Sequence, residues 1–182
     1  MLRELYDEGI EIVSEDFEAD VVVVNTCAFI ESAKQESIDN IIDIGWLKKN
    51  RSLKGIVVTG CLAERYRDTI FDELPEVDAV LGVGSIHNIV KAVKEAAKGK
   101  RYSSYEDTVR LGGERIITTP EYYAYLKVAE GCDNRCTYCA IPSIRGHFRS
   151  RPMEELVEEA KNLEKLGVKE LCVIAQDTTR YG

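Results

Sequence analysis

The stretch Tyr122-Tyr123-Ala124-Tyr125-Leu126-Lys127-Val128-Ala129 leads, across one residue, into Gly131-Cys132-Asp133-Asn134-Arg135-Cys136-Thr137-Tyr138-Cys139. Aromatic and β-branched residues mark the first part as a strand. The second part spaces three cysteines by three residues and then two. Three such thiols can converge on one small object, as the thiolates that hold iron-sulfur clusters do. A three-cysteine set leaves one iron without a protein ligand, and an open metal position is where chemistry occurs. Two other readings stand beside this one. Cys136 and Cys139 alone have the spacing of a redox pair, and His147, eight residues beyond Cys139, completes a possible four-ligand zinc set. Disulfides are not expected, because no secretory sequence precedes these residues and the chain reads as cytosolic.

Downstream, Pro152 is expected at the first position of a helix that runs to about Leu166, with Leu156, Ala160 and Leu163 on its apolar stripe and Gly167 as its stop. Lys169 to Ala175 then reads as a strand, and Cys172 inside it as core packing. Strand, cysteine loop, helix and strand make the first βα unit and following strand of a parallel barrel or half-barrel. Polar residues at the end of the second strand, Gln176 onward, would face the mouth where such barrels place their active sites. The tyrosines read as core or interface packing. Arg145, His147, Arg149 and Arg151 form the one local basic cluster, with His147 read as a surface residue.

The first hundred residues alternate short apolar strands with amphipathic helices. Val21–Val24, Ile56–Val58 and Val77–Leu81 are the strands. The helices are expected over Glu31–Lys48, Ala63–Leu74 and Ile86–Lys98, the last capped by Ser85 and stopped by Gly99. This order predicts an open parallel sheet covered on both faces. Cys27 and Cys61 each fall just past the end of a strand, so the fold would bring two thiols to one sheet edge, where open α/β sheets bind ligands. The other reading of each is a small buried hydrophobe. Gly99 to Pro120 has little periodicity and is expected to be a linker.

The 182 residues carry 45% hydrophobic content, enough for a sizeable core in one or two domains. A net charge of −8 argues against direct nucleic-acid binding by this segment and suits a basic partner better. No apolar run approaches the ~20 residues of a membrane span, and Met1 to Gly9 is too short and acidic for a signal peptide. A cytoplasmic location is expected.

Residues Gly131 to Gly146, with Tyr138 before the third cysteine and Ile141-Pro142-Ser143-Ile144-Arg145-Gly146 after it, resemble the signature of the radical S-adenosylmethionine (SAM) methylthiotransferases. The resemblance implies that Cys132, Cys136 and Cys139 bind a 4Fe-4S cluster whose open iron takes SAM. It implies cofactor contacts from Tyr138, Arg145 and Gln176, Arg145 being a candidate for the cofactor carboxylate or an acidic substrate group. Cys27 in Asn-Thr-Cys-Ala-Phe-Ile-Glu and Cys61 in Thr-Gly-Cys-Leu-Ala-Glu resemble two ligands of the family's second 4Fe-4S cluster. The family's first strand and third ligand are expected to lie outside this chain, as are the rest of the barrel and a C-terminal domain, so that this segment alone would be inactive. The implied division is a methylthiotransferase α/β domain over 1–100, a linker over 101–120 and the start of a radical SAM barrel over 121–182.

Gln176-Asp177-Thr178-Thr179-Arg180-Tyr181-Gly182 and the Cys27 segment look more like the branch that modifies an aspartate of small-subunit ribosomal protein twelve than the transfer RNA branch. The family reaction would use an electron donor to cleave SAM, remove hydrogen from the aspartate β-carbon, insert a sulfur associated with the second cluster and methylate it from a further SAM. A transfer RNA adenosine methylthiotransferase and a non-enzymatic zinc or iron-sulfur module are the alternatives.

Overall fold

The computed structural model describes residues 1–107 and 112–182. The chain divides into two units, Met1–Val109 and Arg110–Gly182.

Valine restricts its own χ1 and favours extended backbone, and the four valines from Val21 begin the first sheet. Helix α1 (Leu2–Asp7) precedes strand β1 (Val21–Thr26), followed by helix α2 (Glu31–Asn50) and strand β2 (Gly55–Gly60). Short helices α3 (Cys61–Tyr66) and α4 (Thr69–Glu73) lead to strand β3 (Ala79–Leu81), helix α5 (Ile89–Ala96) and strand β4 (Tyr102–Ser104). The strands lie in the order β1-β2-β3-β4, every pair parallel, with Val21 opposite Gly55 and Thr26 opposite Gly60. The fold class expected for this part is therefore the one observed.

Both faces of the sheet are covered. Leu5 of α1 and Ile89, Ala92, Val93 and Ala96 of α5 pack with Val57, Ala79 and Leu81 on one face. Strand side chains alternate, so Ile56, Val58 and Val80, all fully buried, lie under cover on the other face. Helix α2 packs against β1 and β2. It is anchored by Lys48, whose Nζ reaches the buried Asp78 carboxylate at 2.6 Å, while Asp78 also accepts the Ile56 amide at 2.8 Å.

Three local expectations are corrected. The helix expected over Ala63–Leu74 is two helices, because Arg67 between them adopts φ 47°. Its guanidinium is held by Glu64 at 2.9 Å and lies over the Tyr105 ring. Ser85 is not a helix cap: it lies inside a 3-10 turn, Val83–Asn88, and its buried hydroxyl accepts from the Glu106 amide and the Ser104 hydroxyl. Strand β4 occupies part of the stretch expected to be a linker, whose residues 108–111 lie outside the described ones. A three-residue strand containing two serines leaves no hydrophobic period to read.

The second unit holds strands β5 (Tyr123–Lys127) and β6 (Ala129–Glu130), helix α6 (Ile141–Arg145), strand β7 (Arg149–Ser150), helix α7 (Met153–Lys165) and strand β8 (Glu170–Ile174). β5 and β8 pair in parallel, and β6 pairs antiparallel with β7. The strand expected over Tyr122–Ala129 is thus split at Val128, whose amide bonds Ile174 while its carbonyl accepts Arg151. Pro152 is the residue before α7 rather than its first turn. Ala124, Leu163 and Val168 form one core cluster, and Leu126, Val128 and Leu156 another.

The tyrosines and Cys172 do not pack as expected. Tyr122 and Tyr125 are exposed, the Tyr123 ring meeting Tyr122 at a tilt and Tyr125 edge-on. Cys172 is only half-buried, with Sγ 3.8 Å from Glu170 Oε1. Strand β8 has a single neighbour, β5, in the described sheet, and its Leu171 and Val173 are exposed as well.

Gly60 adopts φ 94°, and a Cβ there would lie 2.5 Å from the Thr26 carbonyl oxygen. Gly60→Ala is expected to destabilise the first unit by about 2–4 kcal/mol, measured by denaturant unfolding, whereas Gly99→Ala, which meets no atom within 4 Å, should cost no more than about 1–2 kcal/mol.

Candidate cofactor site

Two cysteine-bearing edges emerge, one in each unit. In the first, the pairing of Thr26 with Gly60 puts Cys27 and Cys61 one residue past adjacent parallel strand ends. The Thr26 hydroxyl donates to the Thr59 carbonyl at 2.6 Å and accepts the Leu62 amide at 3.2 Å, so one side chain ties both ends together. Ser37 of α2 does the same for Cys27, its hydroxyl bonding both the Cys27 amide and the Cys27 carbonyl. Cys61 is buried and Cys27 partly so, and the Thr59 hydroxyl beside them is buried with no hydrogen-bond partner among the described residues.

In the second unit, β6 delivers the chain to the 131–140 loop and α6 carries it away. Gly131, with φ 77°, opens the loop. A Cβ there would lie 2.1 Å from the His147 carbonyl oxygen, and the Cys132 amide donates to the Gly146 carbonyl at 3.2 Å. The loop is therefore closed at its base by backbone contact. Asp133 spans it higher up, accepting from the His147 ring at 2.8 Å and the Phe148 amide at 3.3 Å. The His147 hydrogen bond is the main reason the Asp133 carboxyl is held below the usual carboxylate range. Asn134 donates to Asp177 at 2.8 Å, fastening the loop to the segment just past β8. Asp177 also sits below its usual range, chiefly through the Thr179 hydroxyl and then Asn134.

Cys132 is buried, Cys139 half-buried and Cys136 exposed, with the Cys139 amide donating to the Cys136 carbonyl at 3.0 Å in a tight turn. Among the described residues, no group of three His, Cys, Asp or Glu side chains is gathered closely enough to hold a metal ion. The donor chemistry nonetheless fits an iron-sulfur cluster: three soft thiols on one short loop, next to a strand end whose Gln176 Oε1 is a buried acceptor without a partner among the described residues. His147, the possible zinc ligand, is 87% exposed and engaged with Asp133. Tyr138 is 91% exposed.

Arg145, at the end of α6, directs its guanidinium to Glu130 Oε2 at 3.4 Å. Glu130 has no solvent exposure, is also paired with Lys127, and accepts the Gly131 amide at 3.1 Å. The sequence signal for this carboxylate is an acidic residue directly before the Gly-Cys pair, three residues after the lysine in a run that is apolar or aromatic elsewhere. Arg151, read as one member of a basic loop cluster, is instead 5% exposed, bonding the Lys127 carbonyl at 2.9 Å and pairing with Glu159 at 2.6 Å.

Because the Gly131–His147 approach leaves no room for a side chain, Gly131→Ala should lower the stability of the Arg110–Gly182 unit by about 3 kcal/mol. Gly146→Ala has the same positive φ but no atom within 4 Å of the added Cβ, and should cost about half as much in the same unfolding experiment.

Residues 1–82 match the family described as "Uncharacterized protein family UPF0004" and residues 126–182 match the Radical SAM superfamily. A "Ribosomal protein uS12 methylthiotransferase RimO" of Thermoanaerobacter sp. (strain X514) is 52% identical over 185 aligned residues, covering 100% of this chain and 42% of the relative. Proteins of the same name from Clostridioides difficile (strain 630) and Desulforamulus reducens are 52% and 50% identical, with the same shares of each chain covered. The chain thus spans 42% of the length of these curated relatives. A parallel sheet with cysteines at its carboxyl edge, a three-cysteine loop on a βα unit and similarity along its full length are what this chain shares with the methylthiotransferases and the Radical SAM superfamily it matches.

Proposed function

We propose that this chain carries the thiolate ligands and part of the cofactor pocket of a radical SAM methylthiotransferase acting on an aspartate of small-subunit ribosomal protein uS12. The observation that carries the reading is the Cys132, Cys136 and Cys139 loop at the end of a parallel βα unit, in a chain 52% identical throughout to proteins named for that activity. The segment Gln176–Gly182 and the net charge of −8 favour a basic protein substrate. No helix among the described residues is long and apolar enough to cross a membrane, in keeping with a ribosomal substrate in the cytoplasm.

Cys132, Cys136 and Cys139 would hold a 4Fe-4S cluster, and Cys27 and Cys61 would contribute to a second. When bound, the first cluster would supply the electron, taken from an external donor, for reductive cleavage of SAM to methionine and a carbon radical. The work of the chain itself is to bind and orient. Arg145 offers a guanidinium for the SAM carboxylate, and the unpartnered Gln176 Oε1 is an acceptor for an ammonium or amide hydrogen. Tyr138, fully open to solvent on the cysteine loop, presents an aromatic face to an incoming ligand. Asp133 and Asn134 keep the loop fixed to its neighbours, Asp133 through His147 and Asn134 through Asp177.

Anaerobic reconstitution with iron and sulfide tests the ligand assignment. Replacing Cys132, Cys136 and Cys139 together by alanine should reduce uptake by about four irons and four sulfides per chain; zinc uptake without sulfide would overturn the cluster reading. For the substrate, uS12 and transfer RNA are offered to the whole protein and analysed by mass spectrometry. A methylthio group on an aspartate of uS12 is expected, and one on transfer RNA alone would reassign the substrate.

A further inference from the structure

We infer that Glu130 is a positioning residue for the cysteine loop, holding the base of the loop and the Arg145 guanidinium in one fixed arrangement; this rests on the reading of that loop as the cluster site. A carboxylate without solvent exposure is tolerated only when cations and hydrogen bonds replace its hydration. Glu130 has both. Oε2 is shared by Lys127 and Arg145, and Oε1 accepts the Gly131 amide.

These three partners are not arbitrary. Lys127 ends β5, Gly131 begins the loop that presents the cysteines, and Arg145 ends α6, which leads out of it. One buried charge therefore joins the incoming strand, the loop base and the outgoing helix. The Cys132 amide to Gly146 carbonyl bond joins the residues that directly follow the Gly131 and Arg145 attachments, so loop closure and guanidinium position are set together. Neutralising Glu130 would remove the anion that Lys127 and Arg145 share and with it the tie between β5, the loop base and α6, which loosens the base.

The test is site-resolved alkylation of the apo chain by iodoacetamide, read by mass spectrometry, with iron and sulfide uptake measured in parallel. Cys132, 8% exposed, should be labelled slowly in the parent chain. In Glu130→Gln its labelling should accelerate by about tenfold or more relative to Cys61, which is buried in the other unit and serves as the internal reference. Glu130→Asp, which keeps the charge, should restore most of the protection, a rescue that loss of packing alone would not give. Iron and sulfide uptake should fall in Glu130→Gln and recover in Glu130→Asp. Unchanged Cys132 labelling in Glu130→Gln overturns the inference whatever the cluster result. Faster labelling with no sulfide uptake by the parent chain keeps Glu130 as the loop's positioning residue and overturns only the cluster reading. If Glu130→Gln does not fold, Arg145→Gln, which removes the partner on the more exposed side of the pair, takes its place with the same expected rise, and no rise there likewise overturns the inference.

Discussion

Two backbone carbonyls approach two glycines more closely than any side chain would permit, and both cysteine-bearing edges depend on those approaches. Gly60 lies against Thr26 and Gly131 against His147, each with positive φ, and each is followed at once by a cysteine. Conformational freedom at Gly60 lets β2 turn directly into α3 at the sheet edge. At Gly131 it lets the chain leave β6 and double back so that Cys132 bonds Gly146. The thiols are placed by what the preceding residue lacks.

Charge is handled differently around the two edges. Next to Cys27 and Cys61, hydroxyls of Thr26 and Ser37 bond backbone amides and carbonyls, and the Arg65 guanidinium donates to the neutral Ala28 carbonyl. The base of the cysteine loop in the second unit is held by an ion pair, Glu130 with Arg145. Neutral hydrogen bonds to backbone fix geometry with little dependence on salt, and a pair whose carboxylate is fully buried is screened far less than an exposed one.

Much of this was legible in the sequence, for identifiable reasons. Continuous valine and isoleucine runs gave β1 and β2 because buried parallel strands need apolar residues on both faces. The position of Cys27 and Cys61 followed, since parallel strands end on one edge. What failed was local. Arg67 breaks a helix by adopting a positive φ of 47° with ψ −129°, a backbone conformation uncommon outside glycine, and β4 is too short to show a period. Ser85 has the right identity for a helix cap, but its hydroxyl is taken by neighbours distant in sequence. Cys172 was misread because an apolar run suggests burial, while burial depends on which strands and helices stand beside it. Glu130 went unnoticed for a related reason: its partners, Lys127 and Arg145, make sense of a buried carboxylate only once the loop has been closed.

The single hydroxyl of Thr26 has a consequence for the cost of recognition at the first edge. It bonds Thr59 and Leu62 at once, so the spacing between the ends of β1 and β2 is fixed by one stiff, β-branched side chain bonded to main chain. The ordering entropy of that edge is thus lost during folding, before any ligand arrives. Any later restriction at that edge falls on the short side chains of Cys27 and Cys61, because the backbone beside them is already held.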